Sequence, residues 1–167
     1  NNEWEWSYRE GEALGGRDPY SSSKACSEIV SAAYRDSFFN EKGVQLATAR
    51  AGNVIGGGDW SKDRLLPDIF RSIDANKKIT IRSPSAIRPW QHVLEPITGY
   101  LLLAQKLVGK HNKFNSEWNF GPEENDCWPV GKVTSKVCEI AQYSDWISPA
   151  IKQPHEASFL KLDSSKA

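Results

Sequence analysis

Tyr20 and Lys24 are the two residues whose types and spacing most directly suggest chemistry. They are separated by three serines in the stretch DPYSSSKACSE. On a helix, residues four positions apart lie on the same face. An ammonium beside a phenol lowers the phenol pKa from its reference value of about 10, so that a Tyr can act as a base near neutral pH. The spacing therefore predicts a proton-transfer pair, with a solvated Lys near a helix start as the alternative.

The spacing alone does not decide between these interpretations. With 5 Tyr and 13 Lys in 167 residues, a Tyr four positions before a Lys arises by chance about 0.4 times. On spacing alone, the solvated helix start is the favoured interpretation. The segments around the pair must supply the rest of the argument.

Composition excludes several classes of protein. The formal net charge is zero and the Lys and Arg residues are scattered, which argues against binding nucleic acid or a membrane surface. No apolar run approaches the length of a membrane span. The three Cys and three His residues are far apart in sequence, so no metal site is predicted. An odd, scattered set of cysteines predicts reduced thiols in a cytoplasmic protein.

A capped helix is the first element that must position the pair. Asp18 can accept hydrogen bonds from free backbone N–H groups, and Pro19 suits the first helical position. The helix is predicted to run to about Asn40 and to stop at Gly43. An apolar run and a glycine-rich bend follow at residues 44–58. A helix followed directly by a buried type of strand is typical of a parallel α/β sheet.

Helices and strands alternate along the rest of the chain. Three further helices are predicted, at about 67–76, from Pro96, and from Pro129. The strands or extended segments are predicted at 79–82, 88–93, 116–122 and 158–163. Ile69, Phe70 and Ile73 are predicted to be buried on the first of these helices, and Val130, Val133, Val137 and Ile140 are predicted to lie on one side of the last. This alternation predicts the α/β class.

Four ordered segments change the interpretation of the Tyr–Lys pair. They are DPYSSSKACSE, ARAGNVIGGGDW, RPWQHVLEPITGYLLLAQ and WNFGP. Together they resemble the extended short-chain dehydrogenase/reductase family over nearly the whole chain. The resemblance implies the C-terminal part of a Rossmann-type doubly wound parallel sheet with a smaller α/β substrate-binding subdomain.

The resemblance also implies a division of the chain. Residues 1–58 and about 88–122 would belong to the second half of the NAD-binding domain. Residues of about 59–87 and 123–167 would form the nucleotide-sugar-binding subdomain. The family's G-x-x-G-x-x-G segment is absent from this sequence, and the dehydration acid and base are expected upstream of Asn1. We therefore expect an internal or C-terminal part of a longer polypeptide that is inactive alone.

A more specific activity follows from three longer segments. EWEWSYREGEALGGRDPYSSSK, GNVIGGGDWSKDRLLPDI and IRPWQHVLEP resemble the branch of the family that uses NAD to convert CDP-D-glucose to CDP-4-keto-6-deoxy-D-glucose for surface polysaccharides such as O-antigen. Tyr20 would take the proton from the hydroxyl on carbon 4 as hydride passes to the nicotinamide. Lys24 would lower the Tyr pKa and bind the nicotinamide ribose. Water is then lost across carbons 5 and 6, and the hydride returns to carbon 6.

Further binding residues carry over from the family's motifs one by one. Ala51 and Gly52 would lie near the nicotinamide. Asn53 would face the nucleotide-sugar, with a turn-forming role beside Gly52 as the alternative. Arg88 would contact the diphosphate, because a planar guanidinium suits bidentate phosphate contact. A surface role beside Pro89 is the alternative for Arg88.

Two other segments are expected along the CDP-sugar. Arg64, Leu65 and Pro67 occupy the stretch that usually lies beside the nucleotide. His155 and Glu156 stand where relatives often carry a basic residue and an acid for the diphosphate and ribose. A structural role for His155 stays equally open.

Oligomeric state and two rival functions complete the expectations. The resemblance implies a homodimer in which the helix carrying Tyr20 packs against its copy, and the small residues Ala25, Ala32 and Ala33 are compatible with close approach. One rival is another nucleotide-sugar epimerase, dehydratase or decarboxylase of the same family. The other is a non-catalytic binding module of the same fold, against which the intact Tyr–Lys pair weighs.

Overall fold

The computed structural model describes residues 5–109, 112–144, 146–149 and 157–167. Helices and strands alternate, as predicted. The helices are α1 (Pro19–Tyr34), α2 (Leu65–Asp74), α3 (Leu94–Val108) and α4 (Val130–Ala141). The strands are β1 (Thr48–Ala51), β2 (Asn53–Ile55), β3 (Ile87–His92), β4 (Glu117–Phe120) and β5 (Cys127–Pro129). A π-helical turn, Arg35–Phe39, extends α1, and short 3-10 turns lie at Asn112–Phe114 and Glu124–Asp126.

The predicted cap of α1 is confirmed. Asp18 accepts a hydrogen bond from the Ser21 backbone N–H at 2.9 Å through one carboxylate oxygen and from the Ser21 hydroxyl at 2.6 Å through the other. Pro19 is the first residue of the helix. The helical path ends near Gly43, whose φ of 66° lies in the left-handed region that glycine adopts without strain. Local sequence therefore determines both ends of this helix.

Each of the two sheets of the described chain contains one parallel strand pair. β1 pairs with β4, placing Ala51 opposite Phe120, and β2 pairs with β3, placing Asn53 opposite Trp90. β5 pairs antiparallel with the other edge of β3. The apolar run that we expected to form one strand is divided at Gly52. A Cβ atom at Gly52 would collide with the Pro89 carbonyl oxygen, so glycine permits β3 to approach the chain there.

The buried core lies between α2, α4 and the segment 79–86. Its members are Ile69, Ile79, Ile81, Ala86, Val130 and Cys138. The expected strand at 79–82 is wrong as a strand, because only an isolated bridge joins Thr80 to Ile147. Its alternating burial is nevertheless present, with Ile79 and Ile81 buried and Thr80 exposed.

Phe70, which we expected to be buried, is exposed, and so is Ile140 of the predicted apolar side of α4. Phe70 is 42% exposed and Ile140 is 73% exposed. The core-facing stripe of α2 runs through Leu66, Ile69 and Ile73, which turns Phe70 away from it. Ile140 lies two positions after Cys138, which belongs to the core, so the helical turn directs Ile140 to the opposite side of α4.

Asn119 of β4 joins both ends of the chain to the sheet. Its side-chain amide donates to the carbonyl oxygens of Tyr8 at 3.0 Å and Asp163 at 3.3 Å. Its backbone N–H donates to the Glu10 carboxylate at 2.8 Å. The last strand expected at 158–163 consists only of isolated bridges, one of which pairs Leu162 with Tyr8. These contacts place residues near both termini beside β4.

Candidate active site

A cleft of about 580 Å³ between α1 and β1 contains the Tyr–Lys pair. Tyr20, Lys24 and Ala51 line it. The Lys24 ammonium nitrogen lies 5.5 Å from the centroid of the Tyr20 ring, which confirms that the two side chains share a face. Tyr20 is 67% exposed, so its hydroxyl is accessible from the cleft. The arrangement places an ammonium group beside an exposed phenol side chain within one cleft.

The three serines between Tyr20 and Lys24 stabilise the helix start. The Ser21 hydroxyl donates to Asp18, the Ser22 hydroxyl donates to the Gly16 carbonyl oxygen, and the Ser23 hydroxyl donates to the Tyr20 carbonyl oxygen. Short hydroxyl side chains make such local backbone contacts readily. Their main effect is to hold the first turns of α1, and therefore the Tyr–Lys pair, in place.

Glu28 lies one helical turn after Lys24 and bonds to β1. Its carboxylate accepts hydrogen bonds from the Thr48 hydroxyl at 2.6 Å and from Arg50 Nε and Nη2 at 3.0 and 3.2 Å. Burial raises the pKa of Glu28, but these hydrogen bonds and the charges of Arg50 and Arg35 outweigh it and hold the pKa below its ordinary value. We did not anticipate this contact, because Glu28 and Arg50 lie 22 residues apart.

A second cavity, of about 260 Å³, brings together four of the residues expected to contact the CDP-sugar. Asn53, Arg64, Leu65 and Arg88 all line it. Asn53 is the first residue of β2 rather than a turn residue. Arg88 is buried, and its Nη1 donates to the Ile87 carbonyl oxygen at 2.8 Å. This rules out the alternative of a surface arginine.

Two of the expected site residues that the structure describes stand apart from these two groups. Pro67 is buried within α2 and does not line the second cavity. Gly52 lines neither cavity and instead contacts Pro89. His155 and Glu156 lie outside the described residues.

The second cavity also contains polar residues that sequence reasoning missed. Leu65, Asp68, Ile69 and Ser72 form the face of α2 that lines it. The last three lie three, four and seven positions after the first, so all four lie on one side of the helix. The two polar residues on this otherwise apolar side were the sign in the sequence that it lines a site. With Arg82 and the apolar side chains of Ile79 and Ile81, the cavity combines three arginines, the carboxylates of Asp63 and Asp68, and an apolar part. Such a surface suits a ligand that has an anionic part and a flat apolar part.

The cleft and the cavity are joined by three consecutive residues. Ala51 ends β1 and lines the cleft, whereas Asn53 begins β2 and lines the cavity. Gly52 lies between them. Among the described residues, no group of three or more His, Cys, Asp or Glu side chains is placed to hold a metal ion. Within the same residues, no helix is long and apolar enough to cross a membrane.

Comparison with known proteins gives a consistent result. The model of the NAD dependent epimerase/dehydratase family matches residues 6–121. The CDP-glucose 4,6-dehydratase of Salmonella typhimurium is 52% identical over 173 residues, covering 100% of this chain and 48% of that protein. The chain therefore spans about half the length of this relative.

Solved structures share the fold at low sequence identity. The dTDP-glucose 4,6-dehydratase of Bacillus anthracis, in complex with NAD, superposes with a TM-score of 0.73 at 16% identity, covering 96% of this chain and 48% of that one. The UDP-glucose 4-epimerase of Thermotoga maritima, with UDP-glucose, gives a TM-score of 0.77 at 17% identity, covering 96% and 49%. These similarities confirm the predicted Rossmann-type α/β fold.

Proposed function

Because the chain belongs to the NAD-dependent epimerase/dehydratase family, we propose that it forms part of an enzyme that uses NAD to dehydrate CDP-D-glucose to CDP-4-keto-6-deoxy-D-glucose. The position of the Lys24 ammonium, 5.5 Å from the Tyr20 ring centroid in an open cleft, is the observation that carries the proposal. The 52% identity to a CDP-glucose 4,6-dehydratase along the whole chain supports the choice of substrate. Surface polysaccharide biosynthesis, including that of O-antigen, is the process we propose for the product.

The cleft has residues that fit the nicotinamide end of the cofactor. Lys24 and Tyr20 present N–H and O–H donors that suit ribose hydroxyls, and the small side chain of Ala51 leaves room for a flat ring. Bound NAD supplies the acceptor for the hydride that leaves carbon 4 and later the donor that returns it to carbon 6. Tyr20 removes the proton of the carbon-4 hydroxyl, and Lys24 holds its ammonium nitrogen beside the Tyr20 ring.

The second cavity is where we place the cytidine diphosphate. Arg88 and Arg64 provide guanidinium groups for the diphosphate, and Asn53 offers an amide at the border with the cleft. Leu65 provides apolar contact. Pro67 is left out of this set because it is buried within α2. His155 and Glu156 remain proposed contacts to the diphosphate and the ribose.

We also propose the division of the chain that the family resemblance implies. Residues 1–58 and about 88–122 would belong to the cofactor domain, and about 59–87 and 123–167 to the sugar-binding subdomain. β3 pairs with β2 on one edge and with β5 on the other, so it connects the two proposed units.

A homodimer through α1 is part of the proposal. Ile29 and Val30 are 56% and 54% exposed, and Ala33 is exposed beside them. A stripe of this kind is typical of a helix that packs against a partner. Ala25 is buried against its own chain, so a partner would contact Ile29, Val30 and Ala33 instead.

The cytoplasm is the proposed location. Cys26, Cys127 and Cys138 are all free thiols, which suits a reducing compartment.

The reaction is tested with the full-length protein. It is incubated with NAD and CDP-, dTDP- or GDP-glucose, and the products are weighed by mass spectrometry. We expect CDP-glucose to give a product lighter by one water. A species of unchanged mass that separates from the substrate by chromatography would instead indicate an epimerase. In a parallel incubation with a nucleotide-linked uronic acid, loss of carbon dioxide would indicate a decarboxylase.

Two variants on α1 identify the base. Tyr20→Phe should abolish product formation without changing the thermal midpoint, because it removes only the hydroxyl. Tyr34→Phe is the matched control, since Tyr34 lies on the same helix and is also exposed. Full activity of Tyr20→Phe would refute the assignment. We further propose that these 167 residues alone are inactive, and turnover by them would contradict that.

A further inference from the structure

Glu28 presents an electrostatic problem for the Tyr–Lys pair. Lys24 and Glu28 lie four residues apart on α1, and both line the cleft. Side chains at this spacing are neighbours on a helix, and opposite charges there attract. A carboxylate in contact with Lys24 would compete with Tyr20 for the ammonium. Nevertheless, the Lys24 ammonium nitrogen lies beside Tyr20, 5.5 Å from its ring centroid.

The Glu28 carboxylate is held on β1. Arg50 Nε donates to one of its oxygens at 3.0 Å, and Arg50 Nη2 and the Thr48 hydroxyl donate to the other at 3.2 and 2.6 Å. The Arg50 and Glu28 side chains are only 21% and 18% exposed. Arg50 also donates through Nη1 to the Glu10 carbonyl oxygen at 3.3 Å. These bonds fix the guanidinium in one orientation.

Few other charges face this contact. Among the residues that line the cleft, the charged ones are Lys24, Glu28 and Arg50. Arg35, at the end of the same helix, acts on Glu28 through its charge. It also contacts Asp36 and, from β4, Glu117 at 3.5 Å each. The C-terminal segment contributes the apolar Leu160 to the cleft.

We propose that Arg50 is a positioning residue that holds the Glu28 carboxylate on β1 and thereby keeps Lys24 beside Tyr20. The proposal rests on the function assigned above to Tyr20 and Lys24. Without Arg50, Glu28 keeps its negative charge in a largely buried position, where an unpaired charge is unfavourable. Two cations then remain near Glu28: Arg35, which also contacts Asp36 and Glu117, and Lys24, which lies one turn back and lines the cleft. We expect Glu28 to turn to Lys24, because Arg35 is already engaged. The ammonium would move away from Tyr20.

A structural test needs no turnover. Crystal structures of the full-length protein are compared for Arg50→Gln and for the double variant Glu28→Gln/Arg50→Gln. In the single variant we expect a Lys24–Glu28 contact and a longer distance from Lys24 to Tyr20. In the double variant we expect Lys24 to remain beside Tyr20, because no carboxylate draws it away. An Arg50→Gln structure in which Lys24 has not moved would overturn the proposal.

The functional test is the pH–rate profile, whose acid limb reports protonation of the base. We expect Arg50→Gln to move this limb upward by roughly one pH unit, the lower end of the effect of a nearby charge. The double variant should return the limb to its wild-type position although it still lacks the ion pair. A purely structural clamp would leave the double variant as impaired as the single one, and that result would also overturn the proposal.

If Arg50→Gln does not fold, a second variant at the same position tests the proposal. Arg50→Lys keeps the positive charge but lacks the planar guanidinium that bonds both carboxylate oxygens, so a smaller shift in the same direction is expected, and no shift would overturn the proposal. If the wild type turns over no nucleotide-sugar, the proposed function fails. The crystallographic comparison then still decides the role of Arg50.

Discussion

Replacement of Asn119 provides a stability prediction whose size and pH dependence follow from its contacts. The side chain is 1% exposed, and its amide nitrogen donates to the carbonyl oxygens of Tyr8 and Asp163 at 3.0 and 3.3 Å. Among the described residues, no donor contacts its side-chain oxygen. The amide N–H groups are therefore the functional part of this side chain. Two variants of similar size, Asn119→Leu and Asn119→Asp, remove them in different ways.

The magnitude follows from the donors that the two carbonyl oxygens lose. The Tyr8 oxygen keeps the backbone N–H of Asp163 at 2.9 Å, whereas the Asp163 oxygen loses the amide of Asn119. One polar group left unsatisfied costs about 1–3 kcal/mol, so Asn119→Leu should lower the free energy of unfolding by roughly that amount. At pH 7, Asn119→Asp should cost at least as much, because it places a carboxylate against two carbonyl oxygens and beside Glu10. The new carboxyl is most stable in its neutral form, which offers one O–H donor.

Urea denaturation of the full-length protein between pH 7 and pH 4 separates the two variants. Burial raises the pKa of the new carboxyl in the folded state, so its cost should shrink as the pH falls through that raised pKa. The cost of Asn119→Leu relative to wild type should stay constant. A leucine variant within about 0.5 kcal/mol of wild type, the usual range for a surface change, would refute the reasoning. The reasoning would also be refuted if the loss of free energy of unfolding in Asn119→Asp did not change with pH.

Two further predictions concern the strands beside the site. The pKa of Glu28 is held below its ordinary value, so its ion pair with Arg50 contributes stability at neutral pH that is lost as the pH falls through that depressed pKa. Thermal midpoints of wild type and Glu28→Gln should therefore converge in acid, and a constant difference would contradict this. Gly52→Ala should destabilise by about 1–3 kcal/mol, because its Cβ would collide with the rigid Pro89 carbonyl oxygen. Gly57→Ala, where nothing lies within 4 Å of the added atom, is the control and should be nearly neutral.

Sequence patterns predicted correctly those features that depend on residues close together in the chain. Asp18 caps α1 because its carboxylate reaches a backbone N–H only three residues away. Tyr20 and Lys24 share a face because helical geometry places residues four apart together. The parallel order of helix and strand followed from the same kind of reasoning. Each of these features depends on near neighbours in the chain.

Helical periodicity and strand alternation did not predict how far the buried surface extends. Helical periodicity predicted that Phe70 is buried and grouped Ile140 with the apolar side of α4, but both are exposed. Periodicity identifies a stripe on a helix, whereas the opposing surface decides how wide and how long the buried part is. Ile79 and Ile81 alternate as in a strand, yet only one bridge forms because no continuous partner strand lies alongside.

The sequence by itself thus determined the capped helix, the shared face of Tyr20 and Lys24, and the α/β order, because short-range hydrogen bonds and helical geometry specify them. Tertiary structure alone brought Asn53, Arg64 and Arg88 into one cavity and removed Pro67 from it. It also joined Glu28 to Arg50 across 22 residues. Such contacts depend on which strands pair and in what register. That choice is made by the packing of the whole chain, and no local spacing of residues records it.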